Sequence, residues 1–166
     1  MTPKAKNKTH LTLPSDTEIK IVRTFNAPRQ RVWDAYTKAE HLVKWWGPTG
    51  WTLPVCELEF KVGGEWFYCM ENADLDMRSC ARATFITIDA PDSFSYQDAF
   101  ADNDGVIDET MPVATSHYTF VEDDGKTTVT NVSTYSTKAE RDTVIEMGVE
   151  AGISQTLDRL EAFLAE

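Results

Sequence analysis

The chain has 166 residues, 42% of them hydrophobic, and its 27 acidic side chains outnumber 16 basic ones to give a net charge of -11 at pH 7. That length suits one domain with a single core, and no run approaches the about 20 apolar residues that a membrane span needs. The charge repels phosphate backbones and anionic lipid, which argues against nucleic acid and anionic lipid as main partners.

Residues 1–16 hold Lys4, Lys6 and Lys8 without the apolar core of a secretory signal, and read as a disordered tail on a cytoplasmic protein. One domain is expected over residues 17–166. From Glu18 to Phe25 the sequence alternates, with Ile19, Ile21 and Arg23 on one side, which suits a first strand. Pro28 sits where a helix begins, because its fixed φ and missing N–H are harmless in a first turn. Val32, Trp33 and Tyr36 give that helix an apolar face. Thr37 and Glu40 form a capping-box pattern, so a second short helix carrying Leu42, Val43, Trp45 and Trp46 is expected before Gly47-Pro48.

From Trp51 to Tyr135 the chain reads as strands divided by turns at Gly63-Gly64, Ala90-Pro91-Asp92, Asp102 to Gly105 and Asp123-Asp124-Gly125. With the first strand this makes about six or seven antiparallel strands rich in β-branched and aromatic residues. Thr137 and Glu140 repeat the capping-box pattern and no proline follows, so one helix of about 28 residues, roughly 42 Å long, should run to the end of the sequence. Its stripe of Val144, Met147, Ala151, Ser154, Leu157, Leu160 or Glu161, and Leu164 has to lie on the sheet. The fold class is therefore α+β, a curved antiparallel sheet around a long C-terminal helix.

Cys56, Cys69 and Cys80 match no zinc spacing and are odd in number, so they read as free thiols in a core, with no metal required. The segment from Asp102 to Glu109 resembles a calcium loop only superficially: aligning Gly105 with the loop glycine puts Phe100 where the first carboxylate belongs. It reads as an acidic surface loop.

Five tryptophans stand out. Trp33 and Trp66 suit a core, whereas Trp45, Trp46 and Trp51 flank a Gly-Pro turn and suit a lid over a pocket between sheet and helix. We expect that turn to gate the pocket. Strand alternation puts Arg78, Cys80, Arg82, Thr84 and Ile86 on one face, and Phe94, Tyr96, Asp98 and Phe100 together on a face of the next strand. An arginine such as Arg82 meeting Asp98 would supply a polar anchor. The expected pocket residues are Trp45, Trp46, Trp51, Trp66, Tyr68, Arg82, Phe94, Tyr96, Asp98, Phe100, Tyr118, Phe120, Met147, Glu150 and Ala151. Gly148 and Gly152 each cost a helix interior roughly 1 kcal/mol relative to alanine, which is offset either by close approach of the sheet or by room for a bound molecule. His117 has no visible catalytic partner, and Ser116 beside it faces the other side of its strand.

Several motifs then combine. Phe25-Asn26-Ala27-Pro28, Val32-Trp33-Asp34-Ala35, Glu40-His41-Leu42 and Lys44-Trp45-Trp46-Gly47-Pro48 are followed by Gly63-Gly64-Glu65-Trp66, Ile88-Asp89-Ala90-Pro91 and a helix with Met147-Gly148, Glu150, Gly152, Ser154-Gln155 and Leu157-Asp158-Arg159-Leu160. Together these resemble the heat-shock-protein-90 ATPase activator homologue family of the START-like (SRPBCC) superfamily, across about residues 18 to 165. The resemblance implies the helix-grip fold of the birch-pollen allergens, with a pocket between sheet and C-terminal helix. Ile153 stands where the family commonly has an aromatic residue, and Cys80-Ala81 where a glycine is frequent. Such scaffolds host many functions. A pocket protein for a small hydrophobic, amphipathic or aromatic ligand, without cofactor and existing as a monomer or weak homodimer, is the expectation. A co-chaperone-like interaction module contacting a chaperone is the alternative, and a polyketide cyclase-like or hydrolytic enzyme is the third; no catalytic constellation is recognisable.

Overall fold

The computed structural model describes residues 8–166. After β1 (His10–Thr12) and β2 (Glu18–Phe25) come two short helices, α1 (Arg29–Thr37) and α2 (Ala39–Trp45). Six strands follow: β3 (Thr52–Leu58), β4 (Glu65–Asn72), β5 (Met77–Asp89), β6 (Ser93–Ala101), β7 (Val113–Asp123) and β8 (Lys126–Tyr135). The chain closes with α3 (Lys138–Glu146) and α4 (Val149–Leu164). The described residues thus form one antiparallel sheet of eight strands in the order β1-β2-β8-β7-β6-β5-β4-β3. Each consecutive pair from β3 to β8 is a hairpin neighbour, and β2 closes onto β8, pairing Ile21 with Asn131 and Phe25 with Thr127. This is the expected α+β helix-grip arrangement, with one strand more than the upper count.

The extra strand is His10–Thr12, within the segment read as a tail. It pairs with β2 through Leu11 opposite Ile21, and Thr9 beside it accepts a hydrogen bond from Arg23 Nη1 at 3.1 Å. Residues 1–7 of that segment lie outside the described residues.

Pro28 caps α1, as its fixed φ suits. Thr37, however, does not cap α2: its hydroxyl donates to the Trp33 carbonyl four residues back at 2.8 Å, and the cap position falls to Lys38. At the other capping box, Thr137 Oγ1 does accept from the Glu140 amide at 3.1 Å, while Glu140 accepts from the Ser136 amide.

The single long C-terminal helix is corrected to two. Gly148 has φ +86°, in the left-handed region where a side chain costs about 1–2 kcal/mol, and the chain turns there before α4 begins. The break also shifts the phase of the apolar stripe. Met147 and Ala151, placed inward by an unbroken repeat, are exposed, and Val149, Ile153 and Thr156 turn to the cavity instead, while Leu157 and Leu160 are buried as the stripe requires.

The cysteines are corrected too. Cys69 and Cys80 sit opposite each other on β4 and β5 and are joined in a disulfide, which leaves only Cys56 free. Sequence spacing cannot reveal a cross-strand pair whose register is set by the hairpin between them. Behind the inner face of the sheet, Trp33 meets Phe60, Phe94 and Phe120 edge to face, with centroids 5.2–5.8 Å apart. That cluster fills one end of the domain and leaves the other end open.

Candidate functional site

At the open end the sheet, the Trp46-Gly47-Pro48 turn and the junction of α3 and α4 enclose a cavity of about 290 Å³, at the lower edge of the size typical for small-molecule sites. Alternation on each strand builds its walls. β2 contributes Ile19 and Ile21, β4 Tyr68 and Met70, β5 Ser79 and Ala81, β6 Tyr96 and Asp98, β7 Ser116 and Tyr118, and β8 Asn131, Ser133 and Tyr135. Val144 comes from α3, and Val149, Gly152, Ile153 and Thr156 from α4.

The two sides differ in chemistry. Along the helices, Trp46 and β2 the lining is mainly apolar. Along β6 to β8 it is polar: the hydroxyls of Tyr96 and Tyr118 lie 3.0 Å apart, Ser116 and Ser133 hydroxyls 2.9 Å apart, and Ser133 donates to Asn131 Oδ1 at 3.4 Å. Asp98 belongs to this side. Its Oδ1 is sealed from solvent and has no hydrogen-bond partner in the protein. Burial pushes its carboxyl up to about 7. Burial first, and then neighbouring ionisable groups, also hold the phenols of Tyr68, Tyr96 and Tyr118 above their ordinary range.

Of the expected pocket residues, the fold brings Trp46, Tyr68, Tyr96, Asp98, Phe100 and Tyr118 to the cavity. Trp66 stands one layer behind, with its ring centroid 4.8 Å from Trp46 and its indole N–H donating to Cys56 Sγ at 3.4 Å. Trp45 is fully buried, donates to the Ala35 carbonyl at 3.0 Å, and borders only a crevice of about 30 Å³. Phe94 and Phe120 belong to the closed end. Met147 is 54% exposed, and Glu150 and Ala151 also face away from the sheet.

Arg82 and Asp98 do not meet. Asp98 pairs with Ala83 and Arg82 with Ala99, so the two side chains leave opposite faces of the sheet. Arg82 instead binds the Glu65 carboxylate and lies over the Phe67 ring on the outer face. The loop after β6 passes over it, with Gly105 against the guanidinium; Asp102 turns inward on its own loop, accepting from the Asp104 and Val106 amides at 2.9 Å each. His117 is exposed on the outer face of β7.

The Gly-Pro turn, expected to gate the cavity, is tied to α4. Arg159 Nη1 donates to the carbonyls of Gly47 and Trp51 at 2.7 and 3.1 Å, with Pro48 at 3.3 Å. Opening the turn therefore breaks those bonds or carries α4 along. Trp51 contributes this carbonyl rather than a wall of the cavity. Gly152 faces the cavity, and a Cβ there would meet only Pro48 Cγ at an ordinary 3.6 Å. Gly152 thus borders open space without a close approach of the sheet, whereas Gly148 serves the turn between helices.

The inward positions missed from sequence are mostly small or aliphatic. Ser116 and Ser133 had a legible signal, a small polar residue on the buried side of an alternating strand. Val149 and Ile153 had none, because their orientation depends on the break at Gly148.

The fold recurs in solved structures. A protein from Mycobacterium smegmatis is 34% identical, with a TM-score of 0.86 over 95% of this chain and 96% of its own. One from Staphylococcus epidermidis is 37% identical, with a TM-score of 0.81 over 92% of each chain. One from Arthrobacter aurescens is 28% identical, with a TM-score of 0.84 over 94% of this chain and 91% of its own. Among curated proteins no significant match is found. The sequence pattern that defines the activator of Hsp90 ATPase homolog 1-like proteins matches residues 26–165. With that match spanning both the sheet and the closing helices, the chain belongs to the activator of Hsp90 ATPase homolog 1-like family.

Proposed function

We propose that this chain binds one small amphipathic or aromatic molecule in the cavity between sheet and helices. The observation that carries the reading is the mixed lining, in which apolar Trp46, Met70, Ile19 and Ile153 share one cavity with polar Asp98, Tyr118 and Ser133. Apolar walls supply burial and a few convergent polar groups fix orientation, the usual composition of a ligand site.

Gly152→Leu tests it. Leucine is a good helix former, and its side chain enters the cavity without backbone strain. A hydrophobic fluorescent probe should bind wild type at one site and bind the variant at least about tenfold more weakly. Equal affinity in a variant of unchanged helix content removes the cavity from consideration. Native mass spectrometry of protein from its own host then weighs any retained guest.

The family match favours a second reading, action on a chaperone through the outer surface. Gly152→Leu separates the two, because filling the cavity leaves an outer contact surface intact.

A further inference from the structure

We propose that the molecule seated in this cavity carries a protonated amine that pairs with Asp98, its apolar body lying among the surrounding rings. This deepens the binding reading above and rests on it.

Asp98 Oδ1 is buried, points from the inner face of β6 and finds no donor in the protein. Leaving such a group unpaired is costly, so its partner is to be sought in a guest. No lysine or arginine lines the cavity among the described residues. Nearby cations are committed elsewhere. Arg23 pairs with Asp158 at 2.8 Å, Arg159 holds the turn carbonyls, and Arg82 is on the outer face with Glu65.

Three guest chemistries could approach this carboxylate, and they are not equivalent. An anion would meet a like charge with nothing to neutralise it. A neutral hydroxyl satisfies the hydrogen bond but leaves the buried charge uncompensated. An ammonium supplies both the donor and the charge, and ring faces attract it further. Trp46, Tyr68, Tyr96, Phe100, Tyr118 and Tyr135 line the same space. The net charge of -11 draws cations toward the protein as a whole.

The other titratable groups facing Asp98 are the phenols of Tyr68, Tyr96, Tyr118 and Tyr135, all shifted upward and neutral at neutral pH. Asp98 is then the group whose ionisation near pH 7 governs the pairing.

Calorimetry with two matched pairs, tryptamine against tryptophol and octylamine against octanol, at about pH 8 tests this, since Asp98 is then ionised and both amines are protonated. In at least one pair the amine should bind wild type about tenfold or more tightly than its alcohol, and Asp98→Asn should erase the difference. The preference should also shrink severalfold at about pH 5.5, where Asp98 is protonated. Alcohols that match or outbind their amines in both pairs overturn the proposal, as does an amine preference that survives in Asp98→Asn. If neither amine binds a protein that still takes up the fluorescent probe, the amine falls and the cavity reading stands. If the probe fails as well, both fall.

Discussion

Arg159 on α4 holds the carbonyl of Gly47 at 2.7 Å, joining the last helix to the turn that follows α2 across 112 residues of sequence. The same nitrogen also meets Trp51 at 3.1 Å, and bonds from a charged donor are worth about 1.5–3 kcal/mol. Arg159→Met keeps the stem that packs but loses the donor. It should lower stability by about 1–3 kcal/mol in urea melts and speed probe release, because the turn is freed. An unchanged midpoint would show that the turn needs no tether.

Gly148→Ala discriminates between a broken and a continuous helix by the sign of its effect. In an unbroken helix interior, alanine would stabilise by roughly 1 kcal/mol. At φ +86° it should instead destabilise by about 1–2 kcal/mol. Chemical denaturation of the two proteins reads the sign directly.

Asp98 makes stability depend on pH in an unusual direction for a carboxylate. Its folded value of about 7 lies above the ordinary 3.8, so between those values the native state binds more protons than the unfolded chain, and stability falls as pH rises. The contribution is complete below about pH 4 and is lost as pH climbs through about 7. Asp98→Asn should flatten this slope and be the more stable protein at about pH 8, by at most about 4 kcal/mol. A parallel decline in both proteins would assign the slope to other groups.

Thiol titration under denaturing, non-reducing conditions should return one reactive cysteine, Cys56, and three after reduction. With a sequence separation of 11 between the bonded residues, chain entropy puts the stabilisation at about 3 kcal/mol. Paired Cys69→Ser and Cys80→Ser changes should lower the urea midpoint accordingly. A count of three before reduction would show both thiols free.

The parts of the fold legible in the sequence were those governed by local rules. Alternation over Glu18–Phe25 and the turns from Gly63-Gly64 to Gly125 marked strands and hairpins. The cavity was legible in its aromatic residues on β4, β6 and β7, since Tyr68, Tyr96 and Tyr118 follow a period of two. It was not legible on α4, because the phase of that helix depends on one dihedral at Gly148, and glycine adopts helical and left-handed backbone about equally readily. Alternation alone leaves open whether an arginine such as Arg82 meets Asp98, because only the strand register decides which residues share a face, and here it separates them.

The Cys69–Cys80 bond lies on the outer side of two strands whose next residues, Met70, Ser79 and Ala81, line the cavity. It makes that wall the fixed jaw of a vice, cross-braced by covalent bonding as well as by the ladder between β4 and β5. The opposing jaw is made from two helices meeting at a single glycine. Under the binding proposal, guests of different thickness would be accommodated by the helical jaw, and selectivity for shape would reside in how far Val149 and Ile153 can retreat from the braced sheet.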